Sequence, residues 1–418
     1  MNPDQRTTRR RTSRSQGRFF GLTATQPLAV KNPGQGASSP ARPQKLASDA
    51  NHRIVQLRVD VPLLLTLITL LIFGLVMVYS ASYDYSYLWY GVPSAMFVRQ
   101  LMWMVTGVCV MVFLAFFNYH RLRYLAVLSM GVTVCLLVAV LFVNIILNGA
   151  TRTLLGGSIQ PSELAKLVTV MYLAVWLDAK RERLSNVSFG LIPLAAILGL
   201  LGGLIIMQPD LSAVVTIFML GGLMFFLAGG DLRQIGVLLI VAVLVGWAVV
   251  QISPTGVERI QDYLAGLKNP SQGSYHVQRA FEAFVRGGWF GVGIGKAEVK
   301  LTGLPVPPTD SIFAVVGEET GVIGAVVLVG LYVLLLWRGL IIAQRAPDQL
   351  GALLASGLTI WICIEAFINM AVMLNLVPFA GNALPFISAG GSNLNVVLAA
   401  IGIVLNVSRL SEQKKEEN

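Results

Sequence analysis

FGLIPLAAILGLLGGLIIMQPDLSAVVTIFMLGGLMFFL, from Phe189 to Leu227, contains one ionisable residue, Asp210. A helix crosses the hydrocarbon of a bilayer with about 20 apolar residues, so this stretch is long enough for two crossings. Gln208-Pro209-Asp210 divides it. Proline lacks an N–H and cannot continue a helix, and the polar side chains on either side of it are costly within lipid. The stretch therefore reads as two membrane helices joined by a tight turn.

The same rule finds further spans on both sides: Val61 to Ser82, Val98 to Phe117, Tyr124 to Leu147 and Ser162 to Leu177 before it, then Ile235 to Ile252, Ser311 to Trp337, Leu350 to Met373 and Leu394 to Val407. With Phe189 to Met207 and Leu211 to Leu227 these predict an all-α integral membrane protein of about ten transmembrane helices. Composition agrees, at 55% hydrophobic and 12% charged residues over 418 positions, with a mean hydropathy of +0.70. A soluble domain is about 25% charged.

Lysine and arginine in short connections mark the cytoplasmic side. They gather at Arg121 and Arg123, at Lys180, Arg181 and Arg183, at Arg233, at Arg338 and Arg345, and at Arg409, Lys414 and Lys415. These groups fall in alternate connections, which places both termini in the cytoplasm. The domain plan is a basic tail at 1–58, a membrane domain at 59–408 and a cytoplasmic end at 409–418. A large extracytoplasmic loop at 253–309, between the seventh and eighth spans, is too rich in aromatics and glycines to be low-complexity, so it should be folded and functional.

The net charge of +10 could signal a nucleic-acid partner, but Met1 to Val55 carries ten Lys and Arg against two Asp, a net of +8. Rich in Ser, Thr, Pro and Gly, that tail cannot bury a core and is expected to be disordered, touching anionic headgroups rather than nucleic acid. Cys109, Cys135 and Cys363 show no paired spacing and read as small core residues. His52, His120 and His276 are scattered and give no metal cage or catalytic triad.

Ionisable groups inside a membrane are expensive and mark function or packing. Glu163 and Lys166, three residues apart, share a helix face and can pair. Glu318 and Glu319 are adjacent and point about 100° apart, so one at most faces a given cavity. Glu365 and Asn369 make a polar stripe one turn long that could line a cavity or bond a neighbouring helix, the second being favoured for Glu365. Asp310, in Pro307-Pro308-Thr309-Asp310-Ser311, is placed to cap the eighth span at its outer boundary. It follows Arg279, Arg286, Lys296, Lys300 and the glycine-dense run Gly287 to Gly295. That run is no Walker loop, since Phe290 and Ala297 occupy two of its required positions. Close backbone packing or phosphate contacts through N–H groups are the readings left. Leu384 to Asn393 likewise interrupts a helix at membrane depth.

Five blocks, in order, resemble the signatures of the SEDS family (shape, elongation, division and sporulation), which includes FtsW and RodA. They are Gly149-Ala150-Thr151-Arg152 with Gln160 to Lys166; Gln208-Pro209-Asp210-Leu211; Gly287 to Gly295; Thr309 to Ala314 with Gly317 to Gly321; and Leu384 to Ser388 with Gly390-Gly391-Ser392. The resemblance spans about Val61 to Val407, and the long basic tail favours the FtsW branch, with RodA second. It implies a peptidoglycan glycosyltransferase that polymerises lipid II into β-1,4 glycan strands at the outer face of the bacterial cytoplasmic membrane, at the division septum. The mechanism would be inverting. The family's key aspartate falls on Asp310, to accept or orient the attacking hydroxyl. Arg152 and Lys166 match the motifs as substrate-binding residues, and Glu163, Glu319 and Ser388 lie in the matched blocks. Arg279 and Lys296 are added by location, to offset pyrophosphate charge, with a divalent cation such as Mg or Mn as a candidate cofactor; no organic cofactor is implied. The partners implied are a class B penicillin-binding protein transpeptidase, other divisome membrane proteins, and undecaprenyl pyrophosphate-linked glycan. Where the family usually has His, this chain has Pro308; where it has an aromatic, Thr153; where it has Tyr, Ala389. A lipid II flippase and a non-catalytic divisome scaffold are the competing functions. A flippase would spread polar groups over the full membrane depth.

Overall fold

A computed structural model describes residues 59–147, 153, 160–252 and 254–417. The basic tail and Arg152 lie outside the described residues. Twelve α-helices are present there: α1 (Val61–Tyr90), α2 (Ala95–Phe116), α3 (Leu122–Leu147), α4 (Pro161–Lys180), α5 (Leu191–Ile206), α6 (Leu211–Leu227), α7 (Leu232–Ile252), α8 (Pro254–Lys268), α9 (Tyr275–Gly287), α10 (Ile312–Gln344), α11 (Gln349–Met373) and α12 (Gly391–Glu417). Several begin where an aspartate can cap them. Asp60 accepts from Leu63 N at 2.9 Å, Asp210 from Ala213 N at 3.3 Å and Asp348 from Gly351 N at 2.8 Å. Each satisfies an N–H that the helix leaves without a partner.

The protein is an all-helical, multi-pass membrane protein. Seven of the described helices are long and apolar enough to cross a bilayer: α1, α2, α3, α7, α10, α11 and α12. Three expected spans differ. Helices α5 and α6 have 16 and 17 residues, and α4 carries Glu163, Lys166, Asp178 and Lys180. Helices α11 and α12 form the centre, with 72% and 78% of their apolar windows buried, whereas α7 at 11% stands at the rim. Around that centre α12 packs on α2, α11 on α10 and α4, and α9 on α10.

The 409–418 end continues α12 as far as Glu417, because no glycine or proline stops it after Val407. The loop at 253–309, expected to be folded, contains α8 and α9. Two expectations are corrected. Cys109 and Cys135 are exposed and only Cys363 is buried, since a lipid-facing thiol needs no protein neighbour. The residue that precedes α10 as its cap is Ser311 rather than Asp310.

Candidate functional site

Asp310 sits where two irregular segments lock together. The Ser388 hydroxyl donates to Thr309 O at 2.6 Å and accepts from Leu384 N at 2.8 Å, while Ala389 N donates to Pro308 O at 2.7 Å. The Asn369 side-chain amide donates to Asp310 O at 2.9 Å and to Asn382 O at 2.6 Å. Gln100 of α2 closes the frame, donating to Ser388 O at 3.3 Å and accepting from Gly390 N at 3.1 Å. A Cβ added to Gly381 would fall 2.9 Å from Asp310 Oδ2, so the carboxylate lies against bare backbone. Phe386 takes a left-handed φ of 69° inside this frame.

Part of the frame lies alongside the outer half of α1. A Cβ on Gly74 would fall 2.1 Å from Phe386 O, and Gly74 is about 20 Å along α1 from Val61, at 1.5 Å per residue. Asp310 itself bonds through its carbonyl to Asn369, about 30 Å along α11 from Gln349, close to the thickness of the hydrocarbon, about 30 Å. Broken backbone is stable between helices when neighbours take its polar groups, as Pro308 O, Thr309 O, Asp310 O and Ser388 O are taken here.

One turn along α11 from Asn369 lies a buried charged triad. Lys166 Nζ is 2.9 Å from Glu163 Oε1 and also pairs with Glu365. Asn393 donates to Glu163 Oε2 at 2.8 Å, and the ammonium lies 5.8 Å from the centre of the Trp361 ring. All three charged residues are buried, and Glu365 Oε2 has no hydrogen-bond partner among the described residues. One cation thus serves two carboxylates. Beside it Asp210 accepts from Ser162 at 2.9 Å, and Gln160 N donates to Ser392 at 3.0 Å, so the starts of α4, α6 and α12 converge.

Glu318 and Glu319 are used elsewhere. Glu318 accepts from Glu298 N and Val299 N, each at 3.0 Å. Glu319 accepts from Ser80 at 2.5 Å and Lys300 at 3.1 Å. Both hold the loop to α10 and α1. The glycine run explains itself nearby: α10 breaks at Gly321, with φ 67° and ψ −170°. There Val292 N and Gly293 N donate to Glu318 O and Glu319 O, each at 3.0 Å, while Val322 N donates to Gly288 O at 2.9 Å. A Cβ on Gly291 would lie 2.2 Å from Glu319 O. The glycines thus serve close backbone packing. Gly291→Ala meets both that collision and a φ of 78°. It should lose about 1–3 kcal/mol of stability from backbone strain alone, read as a lowered melting temperature in detergent, whereas Gly295→Ala, with nothing within 4 Å of its Cβ, should lose less.

Among the loop cations, Arg259 lies 5.5 Å from the centre of the Phe379 ring. Arg279 is held by Glu282 at 2.6 Å and the Tyr275 hydroxyl at 3.1 Å, which raise its pKa. Lys296 is exposed beside the glycine run, at the opposite end of the 312–320 arm from Asp310. A residue the histidine inventory set aside does reach the site. His276 Nδ1 is 3.0 Å from the Ser311 hydroxyl, and its ring stacks on Phe379 at 4.2 Å. The tight pairing of a loop histidine with a residue 35 positions away left no local signal. Burial, with Arg259 adding to it, pushes the imidazole below its ordinary value. A histidine with a depressed folded pKa favours folding when neutral, so its contribution is complete above about pH 6.5 and declines as the pH falls below that. Amide protection factors across 275–287, with the intrinsic pH dependence of exchange divided out, should fall on acidification in the native chain, and His276→Gln should flatten that dependence.

A family described as "Cell cycle protein", covering FtsW, RodA and SpoVE, matches residues 61–413. The chain belongs to this family. Among FtsW/RodA/SpoVE relatives, "Probable peptidoglycan glycosyltransferase FtsW" of Trichlorobacter lovleyi is 37% identical over 84% of this chain and 93% of its own length. "Stage V sporulation protein E" of Bacillus subtilis is 36% identical, over 84% and 97%. Among solved structures, a chain from work on "structural coordination of polymerization and crosslinking by a peptidoglycan synthase complex" superposes with a TM-score of 0.68 at 27% identity, covering 85% of this chain and 99% of that one. RodA of Thermus thermophilus gives 0.60 at 25%, over 84% and 97%.

In this FtsW/RodA/SpoVE chain the structure brings Asp310 and Ser388 into one frame and sets Glu163, Lys166 and Glu365 a helical turn away. Glu319, Arg279 and Lys296 stand apart from it. Among the described residues no three His, Cys, Asp or Glu side chains group as a metal site. A divalent ion would have to draw its ligands from a substrate's phosphates and at most one or two carboxylates. What the residues can do by themselves is hold a carboxylate on rigid backbone, next to a buried ammonium.

Proposed function

We propose that this chain is a peptidoglycan glycosyltransferase that polymerises lipid II at the outer face of the cytoplasmic membrane during cell division. The family membership and the names of the relatives support the reaction class. Ten crossings with both termini cytoplasmic, counting the short α5 and α6 and the charged α4, fit the distribution of Lys and Arg.

The observation that carries the reading is Asp310 held by Asn369 and by the Ser388 segment near the outer ends of the spans. A lipid-linked sugar presents its reacting carbon just above its acyl chain, where a base must stand. Asp310 accepts the proton of the incoming 4-hydroxyl as that oxygen attacks the anomeric carbon. The bond to undecaprenyl pyrophosphate breaks on the opposite face, so an α-linked donor gives a β-1,4 product. Pyrophosphate leaves with the bonding electrons and needs positive charge, not an acid. Lys166, buried a helical turn along α11 from Asn369 through its pair with Glu365, would supply it, and Arg152 joins it by its motif. A class B penicillin-binding protein that crosslinks the strands is the partner.

The test is polymerisation of fluorescent lipid II by the purified chain with its cognate transpeptidase, the transpeptidase site being blocked. A ladder of strands is expected. No strands from a confirmed complex, with lipid II scrambled between leaflets of vesicles, would establish a flippase instead; neither activity would leave a scaffold.

A further inference from the structure

The glycine run that bridges the break in α10 projects an apolar finger. Trp289 is 70% exposed, Phe290 84% and Ile294 57%. No described residue covers them, yet the backbone beneath is held by hydrogen bonds. Gly288 O and Trp289 O accept from Val322 N at 2.9 Å and Ile323 N at 3.2 Å, and a Cβ on Gly321 would sit 2.6 Å from Trp289 O.

The height of that finger follows from two helices. Asp60, at the start of α1, pairs with Arg338 of α10 and sets the cytoplasmic level. From Arg338, Val322 is about 24 Å up the helix. From Val61, Ser80 is about 29 Å up α1, and Ser80 bonds Glu319 just beside the break. Both measures put the finger's root at the outer edge of a hydrocarbon layer about 30 Å thick. Below it, Val322, Ile323 and Val326 are exposed and face lipid without interruption. At its end Lys296 is exposed, with no ion pair among the described residues.

We propose that Trp289, Phe290 and Ile294 insert into the outer leaflet as an interfacial anchor, with Lys296 at the level of anionic headgroups. Aromatic side chains favour that boundary, and a basic residue near anionic lipid adds about 1 kcal/mol. The anchor fixes the depth of α9, which His276 ties to Ser311, next to Asp310.

The full chain in nanodiscs tests this, with Cys109, Cys135 and Cys363 replaced by Ala and a spin label on Phe290→Cys or, independently, Ile294→Cys. Val326→Cys serves as a lipid reference and Glu282→Cys as a water reference. Collision with oxygen should exceed collision with a water-soluble nickel chelate at both finger positions. Adding anionic lipid should deepen the label, and Lys296→Glu should abolish that shift. Labels that behave like Glu282→Cys overturn the anchor. So do labels that become protected only when the transpeptidase is added, which would make the finger a protein contact.

Discussion

Asp310→Asn should yield a folded protein that makes no measurable glycan. A positioned general base contributes about 10²–10⁴ in rate, so strand synthesis should fall by at least a hundredfold, in kcat rather than in KM. Folding should be spared, because Asn is isosteric with Asp and two contacts at this position run through backbone: Asn369 bonds Asp310 O, and Ser388 bonds Thr309 O. Asn keeps the shape of the side chain and removes only its basicity. Strand synthesis is followed on gels of labelled product, and the fold by melting temperature and co-purification with the transpeptidase. Equal synthesis by variant and native chain would remove Asp310 from the chemistry.

Lys166→Met should be the most destabilising single change in the protein. It leaves Glu163 and Glu365 facing each other, both buried, with no cation between them. Removing one partner of a buried pair costs about 3–5 kcal/mol, a loss readable as a melting temperature lowered by several degrees in detergent. Adding Glu163→Gln and Glu365→Gln removes the stranded charges and should restore much of that stability. Whether activity returns separates two roles. A triad that only holds helices together regains synthesis in the triple variant, while a Lys166 that offsets pyrophosphate charge does not. A single Lys166→Met variant as stable as the native chain would show that the carboxylates are not ionised against it.

Much of the site was legible as residue types and little of it as geometry. Glu163 and Lys166 were paired on helical spacing, and that pair is present. Glu365, read as a partner for a neighbouring helix, turns out to share the same ammonium. Glu318 and Glu319 could be counted but not aimed; their partners Val299, Ser80 and Lys300 come from another helix and from the loop. The glycine run left two meanings open, and only the break at Gly321 chose between them, because it exposes backbone groups that glycine alone can approach. His276 was invisible, since its partner Ser311 is distant in sequence.

The sequence by itself determined the solvent, the approximate places of the spans and the family. Hydropathy is summed along the chain, and the motif blocks keep their order whatever the packing. Helix ends followed where an aspartate or proline stood to fix them, as at Asp60, Asp210 and Pro161. The tertiary structure alone decided company. It brought Asp310 and Ser388 into one frame, because the 306–311 and 382–390 segments satisfy each other's backbone groups. It also set α11 and α12 at the centre and α7 at the edge, a choice among helices that all meet the same apolar threshold, because lipid and protein interior are alike to an apolar side chain.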